Sequence, residues 1–252
     1  MEQAMGKTYE ALKWAEKEYQ ANRKVPSLEP SLSGRPELPK RVSKFNDVER
    51  YQDLKTNILT RNPAGSIKTI MFVGTNHGDG ASTTAINFAT TMAMDSQLKI
   101  LLIDANLRTP SLHDVFKIGQ AHGLSDLLGG NGRVTSPIKK VGPGNLYVIP
   151  CGGNYSEPVT LFESKRFDQF LKLVRERFDY VILDAPPVHS SAECRVLCPK
   201  VDGMVLVVES EKTRWPIALS AKMKLEEARG KLLGVVLNKK KYHIPNFIYK
   251  RL

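Results

Sequence analysis

Residues 69–93 read TIMFVGTNHGDGASTTAINFATTMA, and this stretch decides the fold class. A short apolar run is followed by a loop with glycines at 74, 78 and 80, and then by a segment rich in Ala and Thr. This order predicts a strand, a turn and a helix, with successive backbone N–H groups and the helix N-terminus converging on one point. We call residues 75–80 the phosphate loop, because a phosphate group binds favourably at such a point.

The phosphate loop departs from the usual consensus at two positions. The pattern G-x-x-x-x-G-K-[ST] places a lysine on the β- and γ-phosphates and a hydroxyl on Mg²⁺. Gly80 and Ser82 match this pattern, but Thr75 stands in the position of the first glycine and Ala81 in the position of the lysine. Asn76 occupies the position where deviant loops carry a signature lysine. The sequence therefore predicts a phosphate site without its mobile positive charge.

The rest of the chain alternates between short apolar runs and longer helical patterns. Runs of β-branched and aliphatic residues, bounded by polar or Gly-rich turns, are typical of strands buried on both faces and hence parallel. Predicted strands lie at 68–73, 99–104, 145–149, 180–184, 203–208 and 233–237, and predicted helices at 81–95, 163–178 and 215–229. The alternation predicts an α/β protein with a parallel sheet and helices on both faces. Ligands of such folds bind at the carboxyl ends of the strands.

Two of these strands end in an aspartate. Asp104 ends the run ILLID, and Asp184 ends the run YVILD. An aspartate at the end of a buried strand beside a phosphate loop is the arrangement that holds Mg²⁺ directly or through water. The alternative is that each carboxylate caps the turn that follows it. Arg108 follows Asp104 by four residues and is a further candidate for the site.

The chain of 252 residues divides into three parts. Residues 1–24 predict an amphipathic helix, residues 25–44 a Pro-rich linker, and residues 45–252 a compact domain with a basic tail. No apolar run approaches the ~20 residues of a membrane span, and the N-terminus has no apolar signal core, which predicts a cytoplasmic protein. The three cysteines are too few and too scattered for a disulfide framework, so buried free thiols are expected.

The net charge of +11 predicts an acidic partner. This partner is nucleic acid, an anionic membrane surface or an acidic segment of another protein. The tail NKKKYHIPNFIYKRL mixes basic with aromatic and apolar residues, which suits a membrane surface or a protein contact as well as nucleic acid. Trp215 is interpreted as a packing residue, and His189 as a turn residue near the site.

Several motifs together resemble one family of enzymes. The segments VGTNHGDGASTTAINFA, LLIDANLRTPSLH, GLSDLLGG, FDYVILDAPPV and DGMVLVVESEKTR are similar to those of the bacterial tyrosine kinases that serve capsule and exopolysaccharide export. The resemblance runs from about residue 45 to 238. It implies a P-loop NTPase architecture of the MinD and ParA type, binding of ATP or ADP with Mg²⁺, and homo-oligomers. It also implies a membrane chain-length regulator, or polysaccharide co-polymerase, as the partner that holds the protein at the inner face of the membrane.

The resemblance also implies roles for individual residues. Asp104, Asp184 and Arg108 are expected to be catalytic, and Ser82, Asp104 and Asp184 to hold the metal. Tyr242 and Tyr249 are the candidate phospho-acceptors. The nucleotide-binding residues are expected to be Gly78, Asp79, Gly80, Ala81, Ser82 and Thr83.

The chain departs from the family pattern at four places. Ala81 replaces the lysine, Asn106 replaces the second aspartate of the D-x-D-x-R motif, and the C-terminal tyrosines are few. The oligomerisation motif E-x-x-R-x-x-R reads ERYQDLK, with Gln52 and Lys55 in place of the arginines. These departures together predict a natural pseudokinase with weak or lost nucleotide binding. The alternative is that Ala81 is an engineered substitution in an active kinase, which would explain Ala81 but not the other three departures. One alternative is an active tyrosine autokinase that compensates for Ala81. The other is a partition-type ATPase that binds DNA, and this one is less favoured because nucleic acid is not expected as a partner.

Overall fold

The central feature of the molecule is a seven-stranded sheet with helices on both faces. The computed structural model describes residues 45–60, 65–95, 97–129, 137–142, 144–153 and 155–241. The spatial order of the strands is β3-β4-β2-β5-β1-β6-β7. The strands are β1 (Thr69–Gly74), β2 (Ile100–Asp104), β3 (Lys139–Val141), β4 (Leu146–Ile149), β5 (Tyr180–Ala185), β6 (Gly203–Glu209) and β7 (Leu232–Asn238).

The helices connect these strands and cover the sheet. The described helices are α1 (Phe45–Thr60), α2 (Ala81–Ala93), α3 (Leu112–Phe116), α4 (Leu124–Gly129), α5 (Pro158–Glu163), α6 (Lys165–Arg177), α7 (Glu193–Leu197) and α8 (Trp215–Glu227), and one 3₁₀ turn follows α7 (Cys198–Lys200). Helices α1 and α2 pack on one face, where the rings of Phe72 and Phe88 lie 5.2 Å apart. Helices α5, α6 and α7 pack on the other face.

The predicted parallel sheet is confirmed for six of its strands. Every residue of β1 and β2 is buried, as expected for strands covered on both faces. Asp104 of β2 is the register partner of Asp184 of β5, and β5 in turn pairs with β1. The carboxyl ends of β1, β2 and β5 therefore bring the phosphate loop and both aspartates to one edge of the sheet.

The structure contains elements that the sequence analysis did not predict, among them the short helices α3, α4, α5 and α7. Strand β3 was not predicted, and it pairs antiparallel with β4 at the edge of the sheet. The helix predicted over 163–178 is confirmed as α6 (Lys165–Arg177), which begins two residues later than predicted because Ser164 is extended and its hydroxyl caps α6 by accepting from the N–H of Phe167 at 3.2 Å. Helix α1 was not predicted either.

The interpretation of Trp215 as a packing residue is wrong. Its side chain is 76% exposed at the start of α8, because that helix buries only Ala221 and Leu225 against the sheet. Leu219 and Met223 are exposed on the same face, at spacings of four residues. This face of α8 is thus an apolar surface open to solvent.

Other predictions divide between confirmed and untested. Cys151, Cys194 and Cys198 are buried free thiols, as predicted. Within the described ranges, no helix has both the length and the apolar character needed to cross a membrane. The predicted N-terminal helix of residues 1–24 and the linker of residues 25–44 lie outside the described residues.

We expect Asp202 to be the most important surface carboxylate for stability. It accepts hydrogen bonds from the N–H groups of Lys68 (2.9 Å) and Thr69 (2.8 Å), and from Arg175. Burial alone would raise its pKa, but these bonds outweigh burial and hold the pKa below its ordinary value. Asp202→Asn should lower the free energy of unfolding by about 1–3 kcal/mol at pH 7 in urea titrations.

The loss should depend on pH in a defined direction. Because the folded-state pKa of Asp202 lies below the unfolded value of about 4, its stabilisation is full above pH 4 and disappears as the pH falls through the folded-state pKa. The difference in free energy of unfolding between the wild type and Asp202→Asn should therefore become smaller at acidic pH. Asp53→Asn, at an exposed carboxylate of α1, is the control, and an equal loss there would contradict the account.

Candidate nucleotide-binding site

The phosphate loop leaves β1 and enters α2 through two glycines in left-handed conformations. Gly78 has a φ of 90° and Gly80, the N-cap of α2, a φ of 91°, which an L side chain rarely adopts. A Cβ atom at Gly78 would meet nothing within 4 Å, so this part of the loop faces open space. Ala81 begins α2 and is only partly buried. The geometry predicted for an anion site is present, and the lysine position carries only a methyl group.

The loop is braced from within and from two other strand ends. The carboxylate of Asp79 accepts from the N–H of Asn76 at 2.8 Å and from the hydroxyl of Thr213 at 3.3 Å. The carbonyl of Asp79 accepts from Asn238 Nδ2, at the end of β7, at 2.9 Å. The predicted nucleotide-binding residue Asp79 therefore stabilises the loop conformation.

Asp184 is the most unusual group at this edge of the sheet. It is completely buried, and within the described part of the chain neither of its carboxylate oxygens has a hydrogen-bond partner. Burial, and then the charge of Asp104, raise its pKa well above the ordinary value. The Ser82 hydroxyl lies near enough to offset part of this rise, although its geometry falls short of a hydrogen bond. A buried carboxylate with both oxygens unpartnered, beside a hydroxyl, fits a divalent cation.

Asp104 serves a second purpose. One of its oxygens accepts from the N–H groups of Ser111 and Leu112, both at 3.0 Å, and the other from the N–H of Asn106 at 3.3 Å. Burial raises the pKa of Asp104 to about 6, although these N–H groups lower it in part. The capping interpretation thus holds for the turn after β2, and Asp104 faces Asp184 from there.

Asn106 completes that turn. Its Nδ2 donates to Thr109 Oγ1 at 3.0 Å, and its Oδ1 accepts from the N–H of Thr109 at 3.2 Å. The residue that replaces the second aspartate of the motif is therefore used in local folding.

Arg108 forms an ion pair with a buried carboxylate, Glu193. Its Nε donates to Glu193 Oε1 at 2.6 Å, and Glu193 is 1% exposed while the arginine side chain is 58% exposed. The other oxygen of Glu193 has no partner among the described residues. A catalytic role for Arg108 stays a prediction, and it would require breaking this ion pair.

We expect Arg108→Gln to lower stability with little effect on nucleotide affinity. The change leaves the buried carboxylate of Glu193 without its cation, which costs about 1–3 kcal/mol, since the pair is half-exposed on the arginine side. Thermal unfolding and MgADP calorimetry measure the two effects separately. A loss of affinity at unchanged stability would instead support the predicted catalytic role.

Comparisons with known proteins place this geometry in a family. A family model described as an AAA domain matches residues 67–215. Tyrosine-protein kinase YwqD of Bacillus subtilis is 33% identical over 193 residues, which are 77% of this chain and 81% of that protein. The chain belongs to the bacterial tyrosine-kinase family. The putative tyrosine-protein kinase CapB of Staphylococcus aureus is 30% identical over 191 residues, 76% of this chain and 83% of that protein.

A solved structure agrees with the family and the fold. The crystal structure of the chimerical protein CapA2B2 matches with a TM-score of 0.74 at 27% identity, over 83% of this chain and 96% of that one. The P-loop NTPase architecture predicted for this tyrosine-kinase-family chain is confirmed. Nucleotide and Mg²⁺ binding are properties of that architecture, and the buried Asp184 oxygens are the feature of this chain that fits them.

The remaining predicted site residues have varied positions. Thr83 is exposed in the first turn of α2, and Ser82 is partly buried beside Asp184. Gln52 is exposed on α1, while Lys55 lies 3.5 Å from Asp95. Tyr242 and Tyr249 are outside the described residues, so their role as phospho-acceptors stays a prediction.

Sequence analysis missed Glu193 and Thr213, and it also missed two residues at the end of β7. Asn238 and Lys239 were counted with the basic tail, yet Asn238 bonds the loop at Asp79, and Lys239 Nζ donates to the carbonyl of Gly78 at 2.7 Å. The signal was available, because LGVVLNK ends a predicted parallel strand at the same edge of the sheet as the phosphate loop.

Proposed function

We propose that this chain is a kinase-derived P-loop protein that works with a membrane chain-length regulator in exopolysaccharide assembly. Its own phosphotransfer is reduced by orders of magnitude or lost, so its role is structural or regulatory. The observation that carries this proposal is Ala81 in a site whose loop geometry is preserved. The loop, the helix N-terminus and the buried Asp184 remain, whereas the lysine and the second aspartate of the D-x-D-x-R motif are missing.

The missing lysine has a larger effect on transfer than on binding. A charge-assisted hydrogen bond contributes roughly 1.5–3 kcal/mol. Catalysis of phosphoryl transfer depends almost entirely on positioning and on the stabilisation of charge that develops in the transition state. Arg108 is paired with Glu193 and Asn106 with Thr109, so neither residue of the second motif replaces that charge in the observed geometry.

Magnesium is the metal that the remaining groups suit. Ser82 and Asp184, with Asp104 beside them, would hold it, and it would neutralise phosphate charge when bound. Asp184 supports this assignment because its oxygens have no other partner in the described residues. Weak occupancy by MgADP or MgATP is therefore compatible with the loss of transfer.

The partner is supported by the family and by an exposed surface. Trp215, Leu219 and Met223 are exposed at spacings of four residues along α8 and together form an apolar face. Apolar faces of this kind mark protein contacts. Binding to a regulator would hold the protein at the inner face of the membrane. The high net charge favours that surface as well.

The second candidate function is an active tyrosine autokinase. It is favoured by the relatives described above, which are named tyrosine-protein kinase and putative tyrosine-protein kinase. It requires a cation that replaces the lysine missing at position 81, supplied by this chain or by the partner.

We expect Trp215→Ser to weaken binding of the regulator's cytoplasmic tail at least tenfold while MgADP affinity stays unchanged. Calorimetry with the purified tail measures the first effect, and production of exopolysaccharide in a deletion strain carrying the variant measures its consequence. Val235→Ser, at an exposed apolar side chain of the edge strand β7, is the control. Unchanged tail binding by Trp215→Ser would contradict the docking face, and failure of the wild-type chain to bind the tail at all would contradict the proposed function.

A further inference from the structure

The carboxyl end of β7 lies directly on the phosphate loop. A Cβ atom at Gly80 would come within 2.1 Å of Asn238 Nδ2, so the strand end and the loop are in tight contact. The next residue, Lys239, extends its side chain along the loop, and its Nζ donates to the carbonyl of Gly78 at 2.7 Å. A lysine ammonium group thus lies on the phosphate loop, although it comes from a different element than the consensus lysine.

The ammonium group is oriented by one carboxylate. Lys239 Nζ is 3.2 Å from Glu209 Oε2, and Lys212 Nζ is 3.0 Å from the same oxygen. Lys212, and after it Lys239, keep the pKa of Glu209 below its ordinary value. Lys212 is 67% exposed, whereas Lys239 is 48% exposed and also contacts the loop. The two lysines therefore share an acidic partner, and of the two only Lys239 is seen to donate to the loop within the described residues.

We propose that Lys239 contacts the phosphates of a bound nucleotide in place of the lysine missing at position 81. This inference rests on the nucleotide site of the proposed function. The partner of Lys239 on the loop is a neutral carbonyl, and a phosphate oxygen is a stronger, charged acceptor for the same ammonium group. Its flexible four-carbon stem allows the exchange without movement of β7. Gly78 leaves open space on the loop beside it.

The inference separates binding from transfer. A positive charge supplied from β7 restores part of the affinity for polyphosphate that Ala81 removes. The chain then remains a nucleotide-binding protein even where its phosphotransfer is lost.

The alternative is that Lys239 only braces the loop. Lys239→Gln removes the charge and keeps an N–H donor on a side chain one bond shorter, and its thermal stability without nucleotide, compared with that of the wild type, shows whether the loop has lost a brace. Residue 239 has a φ of 54°, and glutamine meets the same backbone strain as lysine, so the fold is preserved. Lys212→Gln is the matched control, since it removes the other positive charge that is paired with Glu209.

The test is calorimetric titration of MgADP into the full chain and its variants. We expect Lys239→Gln to weaken binding roughly tenfold to hundredfold, Lys239→Arg to stay within about threefold, and Lys212→Gln to leave it unchanged. Adding Ala81→Lys to Lys239→Gln should restore the affinity. The affinity of Lys239→Gln should also depend less on salt concentration than that of the wild type.

The outcomes distinguish this inference from the nucleotide site itself. If wild type and Lys239→Gln bind MgADP equally, or if Lys212→Gln loses as much, the role of Lys239 is overturned and the site stands. If the wild type does not bind but Ala81→Lys does, the role of Lys239 is again overturned, and the loop has lost only its charge. If neither binds, both the inference and the nucleotide site are overturned.

Discussion

Ala81→Lys is expected to raise the affinity for MgADP and MgATP by about one to two orders of magnitude. Position 81 begins α2, beside the open face of the loop at Gly78, where a lysine side chain reaches the phosphates. The gain follows from roughly 1.5–3 kcal/mol for a charge-assisted hydrogen bond. A positive charge in the first turn of a helix costs about 0.3–1 kcal/mol, so the gain outweighs the cost.

The same variant should show slightly lower stability without nucleotide and higher stability with it. Thermal unfolding without and with MgADP measures the two changes in stability, and calorimetry measures the affinity. Ala81→Gln is the control, because it adds a long neutral side chain at the same position. Equal affinity of the lysine and glutamine variants would show that the loop does not place its N–H groups and residue 81 around a phosphate.

Asp184→Asn is expected to stabilise the protein without ligand and to remove Mg²⁺-dependent nucleotide binding. The buried carboxylate has no hydrogen-bond partner in the described residues, and its pKa is raised by burial and by Asp104. Removing the charge should stabilise the fold by about 1–3 kcal/mol, which is several degrees in the midpoint of thermal unfolding for a chain of this size.

The pH dependence gives this prediction a second test. The folded-state pKa of Asp184 lies above the unfolded value of about 4, so the carboxylate contributes its stability when protonated and loses it as the pH rises through the folded-state pKa. The advantage of Asp184→Asn should therefore grow from pH 5 to pH 8. Asp53→Asn, at an exposed carboxylate, should show neither effect. Destabilisation by Asp184→Asn would mean that this carboxylate has a structural partner.

The sheet was predictable because its strands carry the pattern that burial on both faces requires. The runs ending at Asp104 and Asp184 are continuous and apolar, and the structure ends β2 at Asp104 and extends β5 one residue beyond Asp184. Strand β3, with the sequence KKV, lacks that pattern because it lies at the edge and is only partly covered. Helix α6 was predicted to within two residues at its start, and it begins at Lys165 because Ser164 caps it.

The site was predictable as far as motifs lie within one segment of sequence. The phosphate loop and Asp184 are local signals, and the contact of β5 with β1 brings them together. Glu193 and Lys239 act on the site from positions 85 and 161 residues away from their partners Arg108 and Gly78. Contacts at such separations depend on the order of the strands and on side-chain paths, which the sequence does not specify by spacing.

The most direct test of the central claim is phosphotyrosine formation by the purified chain with MgATP and the regulator's cytoplasmic tail, quantified by mass spectrometry. Ala81→Lys serves as the comparison in the same experiment. The account predicts tail binding without significant phosphotyrosine in the wild type, and a rise of orders of magnitude in the variant. Phosphorylation of the wild type at a level equal to that of Ala81→Lys would contradict it and would identify the chain as an active tyrosine kinase.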